Sequence, residues 1–481
     1  MTLSKSQYIR GLQCPKSLWL YKNCPELRSK PDAQTEALFE TGYQVGNLAK
    51  KLFPGGVEIP FEPSDFDGMI RRTRELIDDG ADVIYEAAFK ERGIFAMADI
   101  LVRDGTGWKI YEVKASTQVK TYQIDDASIQ WYALSEALEL KGAYIVHIDN
   151  QYVRDGELDI SRLFSIEDIT EQVLAKQGEI PQKLQELEAV LQGAEPDIDI
   201  GPHCFDPFEC DFRAHCWAHV PNQGSVFELS YAGGKQWKLY QDGILRIEEV
   251  PDDYPLGTNA SLQVAQHKSQ TVKIDRKKIA TFLDTIRYPI NFFDFETFQE
   301  AIPRFDGQRP YQQMPFQFSI HILHRDGRLE HREFLADERS DPRCEVTRRM
   351  LEAITPEGSI VAYNQSFEIA QIKNLAEACP QHREALLALI DRFVDLAVPF
   401  QKKSYYHPNF GGRYSIKVVL PTLFPDDPQL DYTRLGSVRN GGDAMEIFAK
   451  LHRLKDVTKR EAIRNDLLAY CRLDTLAMVK I

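Results

Sequence analysis

Short runs of bulky apolar residues, each closed by a polar or glycine-rich break, set the pattern of this chain. Residues 288–293 form one such run, and its length and bulk predict a buried strand. The run ends in Asp294 and Glu296. Side chains on a strand alternate between faces, so the two carboxylates project from one side. A second buried strand is predicted over residues 360–363, leading through Asn364 into a helix that carries Glu368. Residues 467–474 have helical spacing, and Tyr470 and Asp474, four apart, share one face. Residues 316–323 and 328–335 read as strands, residues 340–353 as a helix, and residues 303–316 as a loop in which Arg304 and Arg309 are candidate phosphate contacts.

The N-terminal half shows the same alternation of runs and breaks. Residues 93–103 predict a strand, 104–107 a turn, and 108–117 the return strand. Glu112 and Lys114 then share a face, with Asp99 alongside on the neighbouring strand. A helix is predicted to open at Asp126 and to carry Gln130. Residues 4–13 predict a helix capped by Ser4, with Pro15 in the first turn of the next. Residues 157–200 carry helical periodicity, clearest at 180–191, and residues 233–244 predict a short helix ended by glycine.

A chain of 481 residues exceeds what one core normally supports, so an α/β multidomain protein is expected, with segments 1–217, 218–285 and 286–481. The middle segment reads as a helical linker, with Lys268 to Lys278 locally basic. The net charge of −14 excludes an unspecific, high-affinity DNA coat protein, but not a nucleic-acid partner met by local basic patches. No run of eighteen apolar residues predicts a membrane span, and the opening residues lack an apolar signal core. Both point to the cytoplasm, where disulfides are not expected.

The eight cysteines therefore read as metal ligands or small apolar residues. Cys204, Cys210 and Cys216 have five residues between neighbours and aromatic flanks. Cys14, in a similar Cys-Pro setting, is the best fourth member. Four thiolates suit an iron–sulfur cluster, a 4Fe-4S centre being the expectation and zinc the alternative, since zinc ribbons use tighter Cys-x-x-Cys pairs. Cys24, His203 and His215 are weaker candidates. Cys344, Cys379 and Cys471 are scattered and read as buried small apolar residues.

Two carboxylates at the end of a buried strand repel each other and lose hydration unless a cation sits between them, and hard oxygen ligands suit Mg²⁺ or Mn²⁺. The order strand Asp-x-Glu, strand-end Asn-x-x-Phe-Glu, helix Tyr-x-x-x-Asp over residues 286–481 resembles the DEDD exonucleases of the RNase H-like fold. The subclass is the one with tyrosine in the third motif, which includes proofreading exonucleases and the RNase D group. The resemblance implies that Asp294, Glu296 and Asp474 hold two metal ions and that Tyr470 orients, or deprotonates, the attacking water. Glu368 stands where the family usually has Asp. Asp395 is a further strand-end acid, or a cap. Residues 415–421 resemble the family's Ser-Leu-Lys helix, placing Lys417 near phosphate. Residues 405–414 interleave aromatics with cations, suited to stacking on unpaired bases.

Asp99 followed by Glu112-x-Lys114 resembles the PD-(D/E)XK nucleases, whose core is restriction-endonuclease-like. Gln130 matches the glutamine of the RecB-like helix motif. One N-terminal cysteine, this core and three later cysteines together resemble the iron–sulfur nucleases of the AddB and CRISPR-associated RecB-like group, in which a cluster staples the two ends of the module. The resemblance implies one or two Mg²⁺ or Mn²⁺ ions on Asp99 and Glu112, with Lys114 polarising water. That group usually carries a histidine on an early helix; residues 42–47 have none, and Glu36, Glu40 and Glu86 are candidate substitutes. The expectation is a fusion of two nucleases hydrolysing phosphodiester bonds of DNA, or RNA, at single-stranded ends in repair, recombination or defence, with a helicase as a candidate partner. The alternatives are a nucleic-acid-binding scaffold with degenerate sites, or a redox sensor whose cluster controls binding.

Overall fold

A computed structural model describes residues 2–481. The chain is a mixed α/β multidomain protein of two compact units. One runs to Ala218 and takes in Glu300–Tyr311; the other comprises His219–Gln299 and Gln312–Ile481. No helix among the described residues is long and apolar enough to cross a membrane.

The first unit is built on a seven-stranded sheet of β1 (Leu3–Ser4), β2 (Val57–Glu58), β3 (Val83–Glu91), β4 (Ile94–Asp104), β5 (Gly107–Lys114), β6 (Leu140–Ile148) and β7 (Phe164–Asp168). The path runs β2-β3-β4-β5-β6-β7, with β1 parallel to one end of β4. β3, β4 and β5 form an antiparallel meander, and β6 returns parallel to β5 after the Thr121–Leu134 helix. That helix begins before Asp126 because Gln123 Oε1 accepts from Lys120 N at 2.9 Å and closes its first turn. β7 corrects the all-helical reading of residues 157–200. It is a short, largely exposed edge strand, so it carries no alternation to find.

Side-chain alternation breaks inside β4. Ile94, Ala96 and Ala98 enter the core that also holds Ile110, Ile129 and Trp131. Ile100 enters a second core with Tyr85 and Val146, and Leu101 returns to the first. The break falls at Asp99, and facing it on β3 Glu86 has a left-handed φ of 57°. Such irregularities in a strand re-aim side chains.

The second unit holds β8 (Lys273–Ile274), β9 (Ile290–Phe298), β10 (Met314–Leu323), β11 (Leu329–Leu335), β12 (Ile360–Ala362), β13 (Phe393–Asp395) and β14 (Tyr405–Tyr406). Five of them form a mixed sheet in the order β11-β10-β9-β12-β13. β9 is central: antiparallel to β10, parallel to β12, and buried along nearly its whole length. Phe293 and Phe295 face a core with Val346, Met350, Ile372 and Leu375 from the Arg343–Ala353 and Ser366–Ala378 helices. Ile290 and Phe292 face Val361, Leu396 and Met478, the last on the Val457–Lys480 helix. Period-two alternation therefore aims Asp294 and Glu296 at the face covered by that C-terminal helix. Residues 219–285 pack within this unit rather than as a linker. Val226, Leu239, Ile247 and Val264 form their own core, and β8 pairs with β14.

Cys344 and Cys379 form a disulfide, with Cα atoms 5.7 Å apart. This corrects their reading as separate apolar residues. One lies in the first turn of the Arg343–Ala353 helix and the other caps the Ser366–Ala378 helix, a proximity that a separation of 35 residues does not disclose. Cys471 is fully buried.

His321 of β10 is buried, its Nδ1 2.8 Å from Thr475 Oγ1. Burial, with nearby His331 and Arg472 adding, pushes its imidazole down to about 4. An unfolded histidine titrates near 6.5, so between these values the unfolded chain binds more protons and stability falls as pH drops. Thermal unfolding is expected to show His321→Gln losing about 2 kcal/mol less than the parent between pH 7 and pH 5. Equal losses contradict this assignment.

Candidate active sites

In the first unit, β3, β4 and β5 set Glu86, Asp99 and Glu112 in one row across the sheet. Asp99 Oδ2 accepts from Val113 N at 2.7 Å. Glu112 is 2% exposed. Its Oε1 accepts from Lys114 Nζ at 2.8 Å and from Lys5 Nζ at 2.6 Å, and its Oε2 from Gln130 Nε2 at 3.1 Å. The same two ammoniums meet Asp126 Oδ2, at 2.7 Å from Lys114 and 3.3 Å from Lys5. Asp99, Glu112, Lys114 and Gln130 are thus brought together, and Lys5 and Asp126 join them.

The electrostatics follow from burial and pairing. Burial drives the Glu112 and Asp99 carboxyls up; Asp99 adds to the effect on Glu112, and both lysines oppose it. Burial works against charge on Asp126 too, but Lys114 and Lys5 outweigh it and hold that carboxyl below its usual range. Lys114 is held protonated by Asp126 and Glu112 against its burial. Glu86 is pushed up by burial, opposed by Lys50 Nζ at 3.4 Å. Of the three glutamates considered in place of the missing histidine, Glu86 faces the row. Glu36 is exposed on its helix, and Glu40 accepts from Gln44 one turn away.

Cys14, Cys204, Cys210 and Cys216 line one cavity, beside Ser17 and His203; Cys24 and His215 do not. Arg10 clamps Asp211 through two bonds of 2.6 and 3.0 Å, and Gln13 Nε2 donates to His203 O and Phe208 O. The N-terminal helices are therefore tied to the 202–216 segment around those sulfurs. Burial, countered by Lys16 and reinforced by the other thiols, pushes Cys216 up to about 11.

In the second unit, Asp294, Glu296, Glu368, Tyr470 and Asp474 converge. The first two and Cys471 bring ligand atoms within 4.8 Å of one another. Tyr470, Cys471 and Asp474 come from the Val457–Lys480 helix, and Asp474 accepts a short bond from Tyr432 Oη. Glu368 lies in the first turn of the Ser366–Ala378 helix, reached through Asn364 with a left-handed φ of 72°. It is 3% exposed, and its Oε2 has no hydrogen-bond partner. Lys417 Nζ donates to Tyr470 Oη at 2.6 Å. A cavity of about 790 Å³ opens on Asp294, Glu296, Lys417, Tyr470 and Asp474, lined also by Tyr231, Phe367, Arg413 and Tyr414.

Of the four carboxylates here, Glu296 and Asp474 are opposed by a lysine, Lys417. Burial, then Asp474 and Glu296, drives Asp294 far above the carboxylate range; burial and Asp474 do the same to Glu296. Burial, with Asp395 adding, pushes Glu368 up to about 8. Burial and the neighbouring acids hold the Tyr470 phenol protonated. Four oxygen donors, an orphaned buried carboxylate oxygen and one open side are what a hard divalent cation requires. Asp395 serves as a cap, its Oδ1 accepting from Asn364 N and Ala397 N, both at 2.9 Å. Arg304 is ion-paired to Glu300 at 2.6 Å, in the loop that packs with the first unit.

The motif spacings did not point to Lys5, Asp126, Tyr432 or Cys471. A signal existed for two of them. Lys5 opens a helix, where a cation opposes the macrodipole. Asp126 stands four residues before Gln130 on one helix face.

Residues 291–415 match a family model described as a domain of unknown function, DUF2779. The chain is similar to an uncharacterized protein, UU173, of Ureaplasma parvum serovar 3, at 29% identity over 237 residues. That alignment covers 45% of this chain and 34% of the relative, so the chain matches about a third of that relative's length. A solved structure titled "Crystal structure of SSO0001" aligns over 46% of this chain and 87% of its own at 13% identity, with a TM-score of 0.21 that carries no argument.

Neutralising one acid of an uncompensated cluster removes repulsion. In chelator-treated protein Asp294→Asn is expected to raise the Tm by about 2–4 °C for each ~1 kcal/mol relieved. The same variant is expected to lose most of the Tm gain that Mn²⁺ gives the parent. A lower metal-free Tm, or an unchanged Mn²⁺ response, contradicts the electrostatic reading.

Proposed function

We propose that this chain is a metal-dependent nuclease with two hydrolytic sites, one in each unit. The observation that carries the reading is the convergence of four carboxylates, Glu296, Glu368 and Asp474 buried and Asp294 partly so, with Asp294, Glu296 and Asp474 lining an open cavity. The mixed β11-β10-β9-β12-β13 order, with the acids on its central strand, supports an RNase H-like, DEDD-type reading of the second unit. The meander that carries Asp99, Glu112 and Lys114, with Gln130 above it, supports a PD-(D/E)XK, RecB-like reading of the first.

In the second unit Asp294, Glu296 and Asp474 would hold two Mg²⁺ or Mn²⁺ ions, with Glu368 at their edge. Bound there, such ions supply Lewis acidity and charge neutralisation at the scissile phosphate. Tyr470 would orient the attacking water or take its proton. Lys417 fixes that phenol and adds positive charge facing the phosphate. Phe367, Tyr231 and Tyr414 offer stacking faces, which suits an unpaired strand end. In the first unit Asp99 and Glu112 would hold Mg²⁺ or Mn²⁺, while Lys114, kept protonated by Asp126, stabilises developing charge. Cys14, Cys204, Cys210 and Cys216 would carry a 4Fe-4S cluster, with zinc as the alternative. The substrate is DNA, or RNA, and a helicase that supplies unpaired ends fits as a partner.

A second reading, a nucleic-acid-binding scaffold, is favoured by Glu112, whose two oxygens are already occupied by donors.

End-labelled single-stranded DNA and RNA in Mn²⁺ separate the two. Asp294→Ala and Lys114→Ala are each expected to remove one set of products, with rates down at least about 100-fold. The double variant is expected to be inert. Wild-type degradation by the double variant contradicts the nuclease reading, and no degradation by the parent favours the scaffold.

A further inference from the structure

The two acid clusters differ in how their charge is balanced. The second unit gathers four carboxylates, and its Lys417 acts on two of them, Glu296 and Asp474. In the first, Asp99, Glu112 and Asp126 are answered by two lysines, Lys5 and Lys114, which share Glu112 Oε1 and Asp126 Oδ2 between them. One lysine is enough to polarise water. The other has no role in the chemistry described above, yet it makes the shorter bond to Glu112, 2.6 Å against 2.8 Å.

The chain is built to deliver that second lysine. β1 pairs with Ile94 and Phe95 at the start of β4, which fixes the backbone one residue before Lys5. Ser4 then caps the helix: Gln7 N donates to Ser4 Oγ at 3.3 Å, and Ser4 N donates to Gln7 Oε1 at 3.1 Å. Arg10 and Gln13 anchor the far side of the same helix to the 202–216 segment. A lysine in the first turn opposes the helix dipole and, at 18% side-chain exposure, gives up most of its hydration. Both costs are offset only by the two carboxylates it reaches.

Glu112 Oε1 has no free acceptor direction left, and Oε2 keeps one. Lys5 and Lys114 hold Oε1, and Gln130 holds Oε2. A divalent ion that Glu112 ligates through Oε1 needs one of its two lysines withdrawn, and one on Oε2 still meets their positive charge. Gln130 is fully buried and also donates to Met97 O at 2.7 Å. Lys114 lies on the same strand two residues away and is held twice. Lys5 reaches in on a flexible side chain from outside the sheet, and its hold on Asp126 is the longer one.

We infer that Lys5 is a tethered counter-ion that holds Glu112 in the metal-free first unit, and that its withdrawal sets the affinity of this site for divalent cations. The inference rests on reading Asp99 and Glu112 as metal ligands. Lys5 is a positioning residue, since it acts through Glu112. With Lys114 it answers two of the three carboxylates without metal, so this site fills at higher divalent concentration than the site of the second unit.

The test uses the full chain with the second site silenced by Asp294→Asn and Glu296→Gln, and reads free Mn²⁺ by electron paramagnetic resonance. Lys5→Met, which keeps the length and removes the charge, is expected to tighten Mn²⁺ binding at least tenfold; Lys5→Arg, which keeps the charge, is expected to bind within threefold of the parent. Equal or weaker binding by Lys5→Met overturns the inference, as does tightening by Lys5→Arg to the same degree. Asp99→Asn with Glu112→Gln in the same background is expected to abolish the remaining site. If that pair leaves Mn²⁺ binding unchanged, the metal-ligand reading of the first unit falls, and the inference with it. If the acids matter and Lys5→Met does not, the inference alone falls. A circular-dichroism melt of Lys5→Met within a few degrees of the parent shows that the comparison is between folded proteins.

Discussion

Like charges held together out of water are the constraint on which this molecule turns. A buried carboxylate loses its hydration, and a second one beside it adds repulsion, so such groups persist only where the surrounding fold over-determines them. β9 meets that condition. It is hydrogen-bonded on both sides, and Phe293 and Phe295 lock its opposite face into an apolar core. Asp294 and Glu296 then have no rotation of the strand available to escape Asp474. The C-terminal helix, Tyr432 and Lys417 are arranged around that fixed pair.

The first unit solves the same problem with its own cations. Lys5 and Lys114 meet Glu112 and Asp126 in a closed set of four ion pairs, and the left-handed Glu86 beside Asp99 re-aims the strand to complete the row. Removing one partner from such a set leaves an uncompensated buried charge, which is why its members are expected to act as a group. The chain therefore carries two acid clusters of similar ligand chemistry and unequal charge balance. One has a deficit that an added cation must fill. The other has two of its three carboxylates answered by lysines, and its occupancy becomes a competition.

The sequence disclosed much of this, and the reasons are specific. Alternation in a fully bonded central strand put Asp294 and Glu296 on one face, and i,i+4 spacing put Tyr470 and Asp474 together; these are local rules. The hairpin around residues 104–107 likewise brought Asp99 beside Glu112. Contacts set by long-range docking left no such trace. Lys5 meets Glu112 across 107 residues, and Tyr432 reaches Asp474 from a short 3₁₀ turn. The strand Phe164–Asp168 lies at a sheet edge with three of its five residues exposed, so nothing forces it to alternate. Cys344 and Cys379 sit at ends of different helices, and cysteine usage alone argued against pairing them. The loop Glu300–Tyr311 follows β9 in sequence yet packs with the other unit, through Arg154 bonds to Pro303 O and Gln308 O.

Anomalous scattering from crystals soaked in Mn²⁺ addresses the central claim most directly. The account predicts manganese peaks bonded to carboxylate oxygens of Asp294, Glu296 and Asp474, with Glu368 turned toward the same ions. Ordered density for these side chains at high Mn²⁺ without a manganese peak among them would contradict it.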